Sequence, residues 1–461
     1  DDYWKNLKNG VSSIVDIPSE RWDIDKYYSP TLQEGKSTSK WGGFTDGIVE
    51  IDKEKLGLKE DDISNMDPSQ LLLLSMSYEA ILHAGYDIKE LSGKKVGVYV
   101  GSEPSIISNV ANQYKKNTIP LMSHNFMAAR ISDTYNFKGP SLVVNTACSS
   151  ALSAIHLAGQ ALKAGDIEYA IVGGVSFLTD EKLYLVLSQS NALSPDGKCH
   201  TFDEKANGFV PGEGCGVILL KGLKESIDNG DNVYAEIGST AINNDGKTMG
   251  ITTPSMHGQE DVIEEALLKG KIDATDISYI ETHGTGTLIG DPIELKALTR
   301  VFSKYTDMKN YCAVGSVKSN VGHLLSAAGI ASVIKVVLMM QNKQIVPTIN
   351  CEKPNPRFEF AKSPFYPNTE LIDWTPINNQ RISGISSFGF GGTNAHIVVE
   401  EFVENSEIKR NPIKNNAESL GKYSLINFNG NKSAKSIDMM VEKSKKKEKM
   451  PILIMEKIIN E

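Results

Sequence analysis

One local arrangement recurs along the chain and limits the folds open to it. A short apolar run leads through a junction of small residues into an Ala-rich segment with helical spacing. It appears in "SLVVNTACSSALSAIHLAGQALKAG" (141–165) and again in "CAVGSVKSNVGHLLSAAGIASVIKVVLMMQN" (312–342). Around these, "KVGVYVG", "YAIVGGV", "GVILLKGL", "VYAEIGSTAIN" and "ISYIETHG" read as strands, and 258–270 as a helix. Asp67 and Pro68 open a further helix that Gly85 ends. "RISGISSFGFGGTNAHIVVEEF" reads as two strands around a glycine turn. Strands alternating with helices require a sheet covered on both faces, so the fold class is α/β.

A chain of 461 residues is long enough for one large unit or two to three smaller ones, and it can bury a sizeable core. Its 57 acidic residues outnumber 48 basic ones, for a net charge of −9. That balance disfavours nucleic acid or an anionic membrane as a partner. No apolar run approaches the ~20 residues that span a bilayer. The five cysteines (148, 199, 215, 312 and 351) are scattered and form no CxxC pair. Neither a metal site nor a disulfide framework is expected, and a reducing cytoplasm fits. Residues 1–45 read as irregular structure with short helices. From about 403 charge and Asn increase, and "KSKKKEK" (443–449) reads as a solvated linker.

The chemistry concentrates on three strand-to-loop junctions. Cys148 stands just before a helix, where free amides and the helix dipole would lower a thiol pKa from about 8.5. A buried structural cysteine would fit the same place. His283 leaves a strand into "GTGT", a loop whose glycines admit close backbone approach and whose threonines offer hydroxyls. No GxxxxGK[ST] or strand-linked GxGxxG accompanies it, so a nucleotide site is disfavoured. Lys318 and His323 precede the second Ala-rich helix, whose small residues also suit plain helix–helix packing.

Together, "NTACSSAL", "ETHGTGT…GDPIE", "KSNVGHLLSAAG" and "SSFGFGGTNAHIVVEE" resemble the β-ketoacyl synthase (ketosynthase) family. "GKSTSKWGGF", "MDPSQLLLL", "SPDGKCHTFDEKANGFVPGEGCG" and "SPFYPNTELIDW" narrow the resemblance to ketosynthase domains of modular type I polyketide synthases. It covers residues 1 to about 402. The resemblance implies a thiolase-like, layered α-β-α-β-α fold of two similar halves, about 1–240 and 241–402. Residues 403–461 would begin a linker.

The implied reaction is a decarboxylative Claisen condensation. Cys148 would take an acyl chain, and His283 and His323 would donate or relay protons to an enolate. Lys318 would tune the His323 loop. The main-chain amides of Cys148 and Phe390 would form an oxyanion hole. Thr285 and Thr287 would contact the phosphopantetheine arm, with Phe388 and Gly391 also lining the substrate site. No directly bound cofactor or metal is implied. The implied partners are acyl carrier protein domains, an acyltransferase acting in cis or in trans, and a second copy of the chain.

Some positions depart from the family pattern. Asn145 stands where type I domains usually have Asp. Ser69-Gln70-Leu71 lacks the usual arginine, and the paired Phe is replaced around Lys55-Leu56. The family's opening strand before "DDYWKNL" is absent, so the chain reads as a trimmed piece. Two alternatives differ in class. A non-elongating acyl-transfer or docking module would lack His283, which is present. A degradative thiolase would need a second cysteine near "GFGGTNAH", which has none.

Overall fold

The computed structural model describes residues 2–403, except 46–47, 53–55, 60–62, 64–65 and 105–122, together with strand segments 423–427 and 453–455. Lys55 and the lysine run at 443–449 lie outside the described residues.

Four strands form the sheet of the first half: β1 (Val96–Gly101), β2 (Ser141–Val144), β3 (Tyr169–Ser176) and β4 (Gly214–Lys221). Their order is β2-β1-β3-β4. β1 runs parallel to both β2 and β3, and β4 is antiparallel to β3. The second half uses β5 (Ala235–Asn244), β6 (Ile277–Glu281), β7 (Cys312–Gly315), β8 (Phe365–Pro367), β9 (Ile382–Phe388) and β10 (Thr393–Glu401). There β7-β6-β9-β10 repeats the pattern: two parallel pairings, then one antiparallel. β5 then pairs antiparallel with β10, and β8 extends the other edge. The segment Leu453–Met455 lies between β4 and β5 and joins the halves into one 11-stranded sheet. Segment 423–427 pairs with 48–52.

Six helices complete the layers: α1 (Pro68–His83), α2 (Phe126–Tyr135), α3 (Ser150–Lys163), α4 (Met256–Gly270), α5 (Gly290–Phe302) and α6 (Ala328–Asn342). α3 and α6 touch strands of both halves and each other, so they form the central layer. α1 and α2 cover the outside of the first half, and α4, with α5 against it, covers the second. The result is the layered α-β-α-β-α arrangement.

The helix starts follow local chemistry. The Asp67 carboxylate accepts Ser69 N–H at 2.7 Å, Pro68 needs no partner at the first helical position, and Gly85 ends the run at φ +90°. Where α3 and α6 cross, Gly329 permits the contact: a Cβ there would lie 2.7 Å from Leu152 Cγ. Leu152, Ile155, Ile330 and Val333 are almost fully enclosed in this layer. Burying each contributes roughly 1.5–3 kcal/mol.

Two expectations are corrected here. The "LLSAAG…" helix is broken at its start, because Leu325–Ala327 form a 3-10 turn with Leu325 at φ +46°. The stretch Leu325–Asn342 is also long and apolar enough to cross a membrane, contrary to the reading of apolar runs. It is 83% buried within the protein, as a helix enclosed between the two halves of the sheet must be apolar all round. The first 45 residues include an α-helix, Asp2–Lys8, a 3-10 helix, Ile24–Lys26, and a strand pair, Ile14–Asp16 with Trp41–Gly43.

Candidate active site

The singled-out residues lie at carboxyl ends of strands: Cys148 after β2, His283 after β6, Lys318 and His323 after β7, Phe388 as the last residue of β9 and the turn 389–392 after it. Crevices at such strand ends are where α/β sheets take ligands.

The turn before Cys148 is a strained elbow. Ala147 adopts φ +54°, a left-handed conformation unusual for a residue with a Cβ. Its neighbours hold it there. Ser150 Oγ accepts Thr146 N–H at 2.9 Å and donates to Ala147 O at 2.6 Å. Ser149 Oγ donates to Thr146 O at 2.8 Å. The two serines after the cysteine therefore satisfy the bent backbone. Asn145 Oδ1 accepts Ala147 N–H at 3.1 Å, so its side chain caps the local turn. Ser387 Oγ donates to Cys148 O at 2.8 Å and ties the elbow to β9. Gly389 presses against the same elbow, where a Cβ would lie 2.2 Å from Thr146 O.

The main-chain N–H groups of Phe390 and of Cys148 itself both act on the thiol. These are the two amides expected to form the oxyanion hole. The thiol itself departs from expectation. Burial first, then the Glu103 carboxylate, pushes its pKa up to about 12, against the lowering effects of Lys318 and the two amides. A lowered pKa was expected from the helix start, but α3 begins two residues later and desolvation outweighs its dipole. Cys148 is thus a protonated thiol at neutral pH.

His283 and His323 lie with ring centres 5.4 Å apart at 85°. Phe388 N–H donates to His283 Nδ1 at 3.3 Å, and Leu325 N–H donates to His323 Nδ1 at 3.2 Å. Each Nδ1 is therefore an acceptor, which leaves the proton of the neutral ring on Nε2. Burial and the Lys318 charge hold both histidines well below the usual imidazole range. His323 is further fixed by its N–H to Val210 O at 2.7 Å and by the Phe209 ring, 4.9 Å away. Lys318 is fully enclosed. Desolvation lowers its pKa, while the carboxylates of Glu281 and Glu294 favour its charge.

The "GDPIE" carboxylates shape the histidine loop. Glu294 accepts His283 N–H at 2.7 Å and Gly284 N–H at 2.9 Å. Asp291 accepts Phe202 N–H at 2.9 Å and Gly286 N–H at 3.1 Å. The sequence motif contains these two acids but does not announce their task. Their spacing of eight and eleven residues from His283, across a glycine loop at a helix start, was the available signal. Thr285 and Thr287 hydroxyls lie 3.2 Å apart beside this loop. Phe388 packs its ring 5.6 Å from His283 and orients that ring through its amide. Gly391, at φ +103°, lines an open cleft of about 240 Å³ with Gly392, Asp245, Lys247 and Thr248. Among the described residues, no cluster of His, Cys, Asp or Glu could hold a metal ion.

A thiol on a strained elbow, two backbone amides aimed at it and two neutral imidazoles define a condensing, acyl-transferring enzyme on a thiolase-like fold. The family described as "Beta-ketoacyl synthase, N-terminal domain" matches residues 1–226, and its C-terminal domain matches 234–352. A C-terminal extension of such synthases matches 354–458. The ketosynthase from module 6 of the bacillaene synthase of Bacillus subtilis 168 is 44% identical, with a TM-score of 0.81 over 87% of this chain and 69% of that one. The oxazolomycin ketosynthase domain OzmH KS7 of Streptomyces albus JA3453 is 34% identical, with a TM-score of 0.83 over 88% and 72%. Polyketide synthase PksL of Bacillus subtilis (strain 168) is 45% identical over 403 residues, 87% of this chain but 9% of that one. The chain thus spans about a tenth of that curated relative. It belongs to the β-ketoacyl synthase family, as a ketosynthase domain of the modular polyketide synthase type.

Proposed function

We propose that the site extends an acyl chain by decarboxylative condensation with a malonyl-type unit carried on acyl carrier protein, as a 3-oxoacyl synthase. Cys148 attacks the acyl thioester of a phosphopantetheine arm, and its proton ends on the departing pantetheine sulfur. Loading is thus proton-neutral, which suits a thiol whose pKa is pushed up to about 12. Malonyl thioester then loses CO₂ to give an enolate, whose oxygen takes hydrogen bonds from Nε2–H of His283 and His323. The enolate carbon attacks the acyl-cysteine, and the main-chain amides of Cys148 and Phe390 hold the tetrahedral oxyanion. Collapse expels the Cys148 thiolate, which takes up one proton. Lys318 supplies positive charge beside the reacting groups.

The observation that carries this reading is the pair of imidazoles whose Nδ1 atoms are occupied by Phe388 and Leu325 amides. Such rings donate from Nε2, as enolate stabilisation requires. Thr285, Thr287, Phe388 and Gly391 would border the pantetheine and acyl path. We further place acyl carrier protein, an acyltransferase in cis or in trans, and a second copy of the chain as partners, in the cytoplasm. Residues 403–461 would act as a linker whose strand segments 423–427 and 453–455 pair with strands of the domain.

The test separates the half-reactions by intact-protein mass spectrometry, with a panel of acyl thioesters followed by malonyl-carrier protein. Cys148→Ala should lose acyl loading. His323→Ala should keep part of the loading and lose most CO₂ release. Wild-type rates of decarboxylation in His323→Ala would refute the assignment.

A further inference from the structure

Glu281 ends β6, two residues before His283, and its side chain is fully buried. Its carboxylate reaches three separate segments. Oε1 accepts Val317 N–H at 2.7 Å, on the residue before Lys318. Oε2 accepts the Tyr279 hydroxyl at 2.6 Å and pairs with Lys335 Nζ at 2.7 Å. Lys335 is equally buried, lies on α6 downstream of His323, and sits over the Tyr279 ring at 5.6 Å. One carboxylate thus joins the strand that leads to His283, the loop that carries Lys318 and the helix that follows His323.

We infer that Glu281 is a positioning residue for the condensation, holding Lys318 in place and charged beside Cys148. The inference rests on the condensing role proposed above. A buried ion pair is weak evidence of stabilisation, since desolvation offsets the attraction between its members. A role through Lys318 accounts for the placement. The groups facing Lys318 are the acids Glu281, Glu294 and Asp291, the thiols Cys148 and Cys199, and the rings of His283 and His323. Glu281 is faced by Lys335, Tyr279, Tyr3 and Lys318.

Glu281→Gln alone would strand the buried Lys335 charge and could unfold the chain. The informative variant is therefore Glu281→Gln combined with Lys335→Met, compared with Lys335→Met alone. CO₂ release from malonyl-carrier protein by the double variant should fall about tenfold in kcat with KM unchanged. Without the Glu281 charge, Lys318 loses its proton sooner, so the alkaline limb of the pH–rate profile should move down by about one unit. Lys335→Met alone leaves the Glu281 carboxylate held by Val317 N–H and the Tyr279 hydroxyl, and should show no downward move. Iodoacetamide labelling of Cys148 gives a readout that does not depend on condensation. Lys318 acts directly on that thiol, so labelling of the double variant at pH 9.5 should slow about threefold or more. A double variant with an unshifted alkaline limb and wild-type labelling would overturn the role of Glu281, whatever its thermal stability. A wild-type protein that labels at Cys148 but releases no CO₂ would instead overturn the condensing role, and the labelling comparison would still decide Glu281.

Discussion

His283 and His323 meet edge to face, with ring centres 5.4 Å apart and planes at 85°. Neither ring can protonate easily, because both are desolvated and both face the Lys318 charge. The acid side of the decarboxylation profile should therefore be flat from pH 7 to about 5.5, with no step at the ordinary histidine value of about 6.5. Stopped-flow or radiometric CO₂ release across that range checks this. A midpoint near 6.5 would mean that at least one ring is exposed to water.

The Cys148 thiol gives the opposite signature. With a pKa pushed up to about 12, alkylation by iodoacetamide should climb about tenfold per pH unit from 7 to beyond 9 without levelling. Rates followed by peptide mapping would show this, and a plateau near pH 7 would contradict the buried thiol. Cys199 shares its enclosure and accepts Val210 N–H at 3.2 Å, so it should not compete for the reagent. The raised thiol pKa also bears on stability. The unfolded thiol ionises near 8.5 and the folded one does not, so this contribution to stability is lost as pH rises above about 8.5.

Gly389→Ala should cripple the site while leaving every proposed reacting group in the chain. Its Cβ would fall 2.2 Å from Thr146 O, a backbone atom that cannot swing aside. We expect a loss of about 1–3 kcal/mol in stability and of about a hundredfold in acyl loading. Thermal melts and loading rates measured together would reveal it. Near-normal loading would show that the elbow can relax.

Asn145→Asp should be close to silent. The side chain serves as an acceptor for Ala147 N–H, and a carboxylate oxygen accepts equally well. Loading rates should agree within about threefold, with any change toward slower reaction because a nearby anion opposes thiolate formation. A large gain in condensation on restoring Asp would mark this domain as impaired.

Among the described residues, β2 is the last strand of the sheet, with β1 as its one neighbour, and Leu142 on it is 47% exposed. An apolar open edge invites a second chain. Light scattering should report twice the 50.3 kDa chain mass, and Leu142→Lys should lower the dimer affinity by at least about tenfold. A clean monomer at micromolar concentration in the unmodified protein would remove the dimer from the proposal.

What could be read from sequence was whatever chemistry stays local. Cys148, His283, Lys318 and His323 stood out because each follows a short apolar strand and precedes small residues. Helix starts such as Asp67-Pro68 were visible for the same reason. The thiol's ionisation was not, because it depends on enclosure and on Glu103, 45 positions away. Glu281 looked like a strand end, since nothing nearby in sequence announces Lys335 as its partner. The break at Leu325 was hidden by an apolar pattern that suits a 3-10 turn as well as an α-helix. The strand at Leu453–Met455 was hidden too, since three residues carry no period.

The repeated strand order has a consequence for how the chain could be divided. β2-β1-β3-β4 and β7-β6-β9-β10 share one pairing pattern. Yet the first copy supplies the sulfur, while the second supplies both imidazoles, the ammonium and the Phe390 amide. Neither copy holds a working set. Each half on its own therefore lacks part of the set, and a single half expressed alone would load no acyl chain and release no CO₂.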